Sequence, residues 1–223
     1  YRIETEKLEA EITASIPMFS NRDSQSRQMI PVPRGNMAAT SFTISRKNFS
    51  GDLEFIAKNL PHGVKMTAPN APSNFTSIPI LFTATPDAPL QETLTQFDLI
   101  HRNTDKNTTI TGHYKHRVDL VYGPPNNRTY YEGVYNVLPV AVVEPVPFRV
   151  KLHTPSTPIV RGGSLNLKVE IIRDANFTKD VVVKILTKPS GIGAKSNVKI
   201  SSKDSIGYYP LTANGGTPIG EWE

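Results

Sequence analysis

The chain has 223 residues with 19 Pro, 14 Gly and no Cys, 38% hydrophobic and 20% charged residues, and a formal charge of +5. Without thiols there is no disulfide framework, no thiolate metal site and no cysteine nucleophile, and the proline content weighs against a mainly helical chain. The length allows one or two domains, each able to bury a core, and the longest apolar run, Val137 to Val143 interrupted by Pro139, is far shorter than the roughly 20 residues of a membrane helix.

In chain order, Tyr1 is preceded by no Met and followed by no signal-peptide pattern, so the chain reads as an excised piece. Glu4 to Glu11 is the one stretch with a hint of helical amphipathicity. Ala39 to Ser45 alternates around Phe42 and Ile44, and Leu53 to Ile56 and Ile78 to Ala84 are further short apolar strands. Phe97 to Ile100 is a strand. Tyr114 to Tyr122 alternates His116, Val118 and Leu120 against Lys115, Arg117 and Asp119, and Gly123 to Asn127 loops back into a hairpin partner, Thr129 to Val137. Leu138 to Val143 follows, then a Pro-rich joint at Glu144-Pro145-Val146-Pro147 where bending is expected to be limited. Beyond it, Leu165, Leu167, Val169 and Ile171 share one face of a half-buried strand, and Val181 to Leu186 is the next.

The chain repeats itself. Pro31-Val32-Pro33-Arg34-Gly35 through Arg46 is echoed by Pro158-Ile159-Val160-Arg161-Gly162 through Arg173 at an offset of 127. Phe49-Ser50 and Leu60-Pro61-His62-Gly63-Val64 match Phe177-Thr178 and Lys188-Pro189-Ser190-Gly191-Ile192 at 128, and Phe82-Thr83-Ala84 matches Leu211-Thr212-Ala213 at 129. Single-residue drifts at turns are what two copies of one fold produce. In each copy Pro-x-Gly predicts a turn, with Pro holding φ near −65° and Gly63 or Gly191 taking positive φ.

Short strands separated by turns, in a unit near 125 residues, predict an all-β chain of two tandem immunoglobulin-like antiparallel β-sandwich repeats. The first spans 1–146 with an extra hairpin near 113–137. The second, 147–223, is truncated before its closing strands, so the native chain is expected to run on past Glu223.

The landmarks Pro147-Phe148-Arg149-Val150, Val160-Arg161-Gly162-Gly163-Ser164, Arg173, Phe177 and Pro189-x-Gly191-Ile192 resemble the immunoglobulin-like repeats of large secreted planctomycete-type bacterial proteins, which often carry pre-peptidase C-terminal domains. The first copy bears the same landmarks at Arg34-Gly35, Arg46, Phe49, Gly51 and Leu60-Pro61-x-Gly63-Val64, so the resemblance covers about two thirds of the chain. It implies a secreted, periplasmic or cell-surface compartment and an accessory or spacer role beside other domains of the same parent chain. It implies no catalytic residues.

The candidate chemistry is sparse. His113-x-x-His116 with Asp119 nearby has helical metal-ligand spacing, but on a strand the two histidines point to opposite sides, and His62, His101 and His153 are scattered; no metal or cofactor is expected. No nucleophile elbow, zinc-protease helix or phosphate loop occurs, and Gly162-Gly163-Ser164 is read as a turn from its equivalence to Arg34-Gly35-Asn36. Asp98, Asp119 and Glu132 are the carboxylates that could pair in space, and the expectation is a non-enzyme. Lys and Arg are interspersed with Asp and Glu except at His113 to Arg117, so no nucleic-acid partner is expected.

The hairpin is the best binding candidate. Tyr114, Tyr122, Tyr130, Tyr131 and Tyr135 fall in it, with Asn126 and Arg128 at its tip, and tyrosines suit polysaccharide stacking or contact with a surface protein. By strand alternation half of them could instead fill the core. Five glycosylation sequons, at Asn48, Asn74, Asn107, Asn127 and Asn176, are expected to be unmodified in a bacterial protein.

Overall fold

The computed structural model describes residues 8–17, 28–103, 107–126 and 128–221. These form strands, turns and loops with no helix. Two compact units divide between Glu144 and Pro145, inside the Pro-rich joint. The expected helical turn finds no support: residues 4–7 lie outside the described residues, and Glu11 opens a strand.

The first unit contains β1 (Glu11–Ser15), β2 (Ile30–Pro33), β3 (Met37–Lys47), β4 (Glu54–Lys58), β5 (Val64–Thr67), β6 (Ser77–Ala84), β7 (Glu92–Asn103), β8 (Thr108–Tyr114), β9 (His116–Gly123), β10 (Arg128–Tyr135) and β11 (Val137–Val143). Nine of these strands form one continuous sheet in two halves, β1-β3-β6-β5 and β2-β11-β7-β8, joined where β8 pairs with β1, and β4 lies on the far edge of β7. Their inner faces follow from period-two alternation: Phe42 and Ile44 on β3, Ile78, Ile80 and Phe82 on β6, and Phe97 and Leu99 on β7 are all buried. Phe97 sits at the centre, with its ring 5.2 Å from Phe42 and 6.0 Å from Phe82. Each such buried ring contributes about 1.5–3 kcal/mol of transfer free energy.

Two of the described ladders are parallel, β1 with β8 and β2 with β11, where the sequence predicts antiparallel pairing throughout. The reason is edge closure. Segment 11–15 lies between β3 and β8 and joins the two halves of the sheet, and segment 30–33 covers the outer edge of β11, each in whichever direction the chain brings.

The second unit contains β12 (Phe148–Leu152), β13 (Ser164–Arg173), β14 (Val181–Val183), β15 (Ile192–Ala194), β16 (Val198–Ile200) and β17 (Ile206–Ala213). Its sheet β12-β13-β17-β15 has the order of β1-β3-β6-β5, and β14 pairs with β16 at Val181↔Ile200, as Leu53 bridges Ala71 in the first unit. A separate core forms around Val169, Ile171, Val181, Ile200 and Tyr209. Among the described residues this unit has no strands in the places of β7, β8 and β11. The strand expected from Val181 to Leu186 stops at Val183, because residues 184–186 have no neighbouring strand to pair with among the described residues.

The two units share their turn chemistry. Gly35 and Gly162 take φ of 67° and 73°, and Gly63 and Gly191 take 80° and 82°, as Pro-x-Gly predicts for the second pair. Thr85 N–H donates to Gly63 O at 2.9 Å, and Asn214 N–H donates to Gly191 O at 3.0 Å. Asp52 Oδ1 accepts from Ser73 N–H at 2.9 Å, and Asp180 Oδ1 accepts from Ser202 N–H at 2.8 Å.

Candidate functional site

The hairpin β9–β10 interrupts a single strand. β8 pairs with β7 until His113 lies opposite Asp98, and β11 resumes on the same edge with Val137 opposite Gln96. Between them the chain leaves the sheet, and β9 and β10 pair only with each other among the described residues. Tyr114 therefore ends β8 and His116 begins β9, where the sequence reads as one strand from Tyr114 to Tyr122. The register shifts between Thr129 and Tyr131 and again between Tyr131 and Glu132, so bulges at Tyr130 and Leu120 break strict alternation and add twist.

Most of the hairpin is exposed. Tyr130 and Tyr131 are 56% and 64% accessible, and Leu120, Val121, Val134 and Tyr135 are exposed as well. A two-stranded ribbon has no interior, so apolar side chains on it stay wet unless a partner covers them. Local contacts stiffen it: Tyr130 Oη donates to Pro124 O at 2.9 Å, Arg117 pairs with Glu132 at 3.1 Å, and the Tyr135 ring lies over Gly133, where a Cβ would come within 2.9 Å of it. At the tip Asn126 adopts φ of 66°, a conformation asparagine tolerates, and Arg128 is exposed.

Of the residues expected to bind, Asn126, Arg128, Tyr130, Tyr131 and Tyr135 come together on this arm. The side chain of Tyr122 and all of Asn127 lie outside the described residues. Tyr114 is a correction: it is fully buried, 6.1 Å from the Phe42 ring, and its hydroxyl donates to Gln28 Oε1. Burial pushes that hydroxyl far above its usual pKa, so it stays protonated. Strand alternation points it into the core, and a phenol there needs the acceptor that Gln28 brings.

The histidines do not converge. His113 Nδ1 lies 2.8 Å from Asp98 Oδ1, and His116 belongs to the next strand, where burial lowers its pKa and favours the neutral ring. No group of three or more His, Asp or Glu with metal-binding geometry occurs among the described residues. Two of the three candidate carboxylates come together. Asp119 and Glu132 are register partners on the hairpin, whereas Asp98 is on β7.

One polar cluster escaped sequence reasoning. Asp98 is 4% accessible and is held by Lys58 Nζ, by His113 and by Gln96 Nε2 at 2.8 Å. Burial raises its pKa, but these partners together outweigh burial and hold it below the ordinary value. Its partners come from three strands that only the sheet brings together, and all its oxygens are engaged structurally. No helix long and apolar enough to cross a membrane occurs among the described residues.

No family model and no curated protein matches the chain. Among solved structures it is similar to domains 5–6 of the S-layer protein SbsC, at 14% identity and a TM-score of 0.34 over 87% of this chain and 84% of that one. Domains 4–9 of the same surface layer protein match at 14% and 0.32, over 87% of this chain and 27% of that one. The titin domains z1z2 in complex with telethonin match at 12% and 0.23, over 84% and 78%. The all-β sandwich assignment rests on the strands described above.

Proposed function

We propose that this chain is a non-catalytic structural module of a large exported bacterial surface protein, two immunoglobulin-like units in tandem that space other domains of the same parent. The observation that carries this reading is where the distinctive polar side chains are used. Arg46 donates to Phe75 O at 2.6 Å and Pro72 O at 3.1 Å, and Arg173 donates to the equivalent Asp204 O at 2.6 Å and Ser201 O at 3.0 Å. In both units a half-buried arginine ties loops to the sandwich, a use of charge that suits a scaffold. The resemblance to secreted repeats points to a position outside the cytoplasm. The test replaces this chain, within its parent protein, by an unrelated sandwich pair of equal length. Retained surface display and activity of the parent support the spacer reading, and their loss overturns it.

The exposed arm favours a second reading, a polysaccharide- or protein-binding module that uses Tyr130, Tyr131 and Tyr135. It predicts a ligand whose retention needs those rings.

A further inference from the structure

We propose that Asn214 is a site of spontaneous covalent modification: its side chain cyclises onto the Gly215 amide, ages to aspartate and isoaspartate, and in doing so loosens the second unit alone. Asn214 precedes Gly215, and no other asparagine in the sequence precedes a glycine. Cyclisation brings the side-chain amide carbon onto the next backbone nitrogen, an approach that a side chain on the following residue obstructs and glycine leaves clear.

The fold presents this pair openly. Asn214 follows β17 in an exposed turn, with its N–H donating to Gly191 O at 3.0 Å and its carbonyl accepting from Thr217 N–H at 3.1 Å. The Gly215 N–H donates to no described group, and a Cβ at Gly215 or Gly216 would meet nothing within 4 Å. The attacking nitrogen is therefore free to turn on an anchored frame. The first unit shows that this exposure belongs to the turn. There Thr85 N–H donates to Gly63 O at 2.9 Å, Ala88 N–H donates to Thr85 O at 3.2 Å, and residues 85–87 are exposed with β7 following. That turn is inert, because Thr85 has no side-chain amide and Pro86 has no N–H.

The chemistry needs only water. The Gly215 nitrogen gives its proton to solvent and bonds to Asn214 Cγ, the Cγ–Nδ2 bond breaks, and ammonia leaves as a succinimide ring closes. Water then opens the ring at Cγ, giving aspartate, or at the former peptide carbonyl, giving isoaspartate, whose main chain runs through Cβ and Cγ. Ring closure and isoaspartate both displace the carbonyl that holds Thr217 N–H. Thr217 is buried, its Oγ1 donates to Gly191 O at 3.0 Å and its carbonyl accepts from Arg161 Nε at 2.7 Å, so the loss falls on the second unit.

The experiment ages the chain in mildly alkaline buffer beside the capped peptide Ala213–Thr217 and follows both by peptide mapping and amide hydrogen exchange. Asn214 should convert as readily as in the peptide and ahead of every other asparagine, with release of ammonia. The Thr217 amide of the aged chain should exchange about tenfold or more faster, with the first unit unchanged. Gly215→Ala should slow conversion about tenfold or more. An Asn214 that persists while the peptide converts would overturn the proposal, and so would equal conversion in the Gly215→Ala chain or an aged chain whose Thr217 amide is unchanged.

Discussion

Arg46 and Arg173, 127 positions apart, tie loop to sheet in the same way, each sending Nη1 to a loop carbonyl at 2.6 Å. They differ in completeness. Arg46 also bonds Gly51 O through Nε and Ala71 O through Nη2, both at 3.0 Å, whereas Arg173 Nε has no hydrogen-bond partner among the described residues. Burial lowers the Arg46 pKa and nearby Asp52 raises it, so the carbonyl cage takes the place of lost hydration.

Arg46→Met should therefore destabilise the first unit by about 3 kcal/mol, since it strands several half-buried carbonyls at once, and Arg173→Met should cost the second unit about half as much. Urea unfolding followed by unit-resolved hydrogen exchange measures both. Equal losses would show that the extra bonds of Arg46 contribute nothing.

Gly63→Ala and Gly191→Ala should each cost about 1–3 kcal/mol. Both positions hold positive φ, and an added Cβ would stand 2.8 Å from Ala88 Cβ in the first and 2.6 Å from Thr217 Oγ1 in the second. Gly215→Ala, with open space around it, should leave the melting temperature nearly unchanged.

The Asp98 cluster makes the first unit acid-sensitive. Its folded pKa lies below the ordinary 3.8, so its contribution is present above that value and is lost as pH falls through the folded pKa. Asp98→Asn should destabilise the unit by roughly 1–3 kcal/mol at pH 7 and flatten the fall in stability below pH ~4. Asp87 and Glu11, whose pKa values are also lowered by hydrogen bonds within this unit, leave a residual slope. An unchanged pH profile in the variant would remove Asp98 from the explanation.

Deleting Lys115 to Asn136 should leave the first unit folded. Asp98, opposite His113, and Gln96, opposite Val137, are two residues apart on β7, and joining Tyr114 to Val137 places Val137 two residues after His113, so the register runs on unbroken with Tyr114 and Leu138 both inward. The expected loss is within about 1 kcal/mol, part of it from the exposed Lys115–Glu11 pair. Tyr130→Ala with Tyr131→Ala should likewise spare the melting temperature, and if the arm binds, retention on a polysaccharide panel should fall at least tenfold. A collapsed fold after deletion would mean that the arm is structural.

The sequence by itself determined the all-β class, the repeat with its Pro-x-Gly turns, and the inward face of strands such as Ala39 to Ser45. Alternation and turn residues act over a few positions and need no knowledge of neighbours. Only the tertiary structure decided which tyrosine is core, where the strand from Tyr114 breaks, and why β14 ends at Val183. Tyr114 and Tyr131 look alike in sequence, and they part because one lies over Phe42 and Gln28 while the other lies on a ribbon with nothing beneath it. Burial, strand length and the Asp98 cluster depend on which distant segments pair, and pairing is a property of the sheet rather than of any one strand.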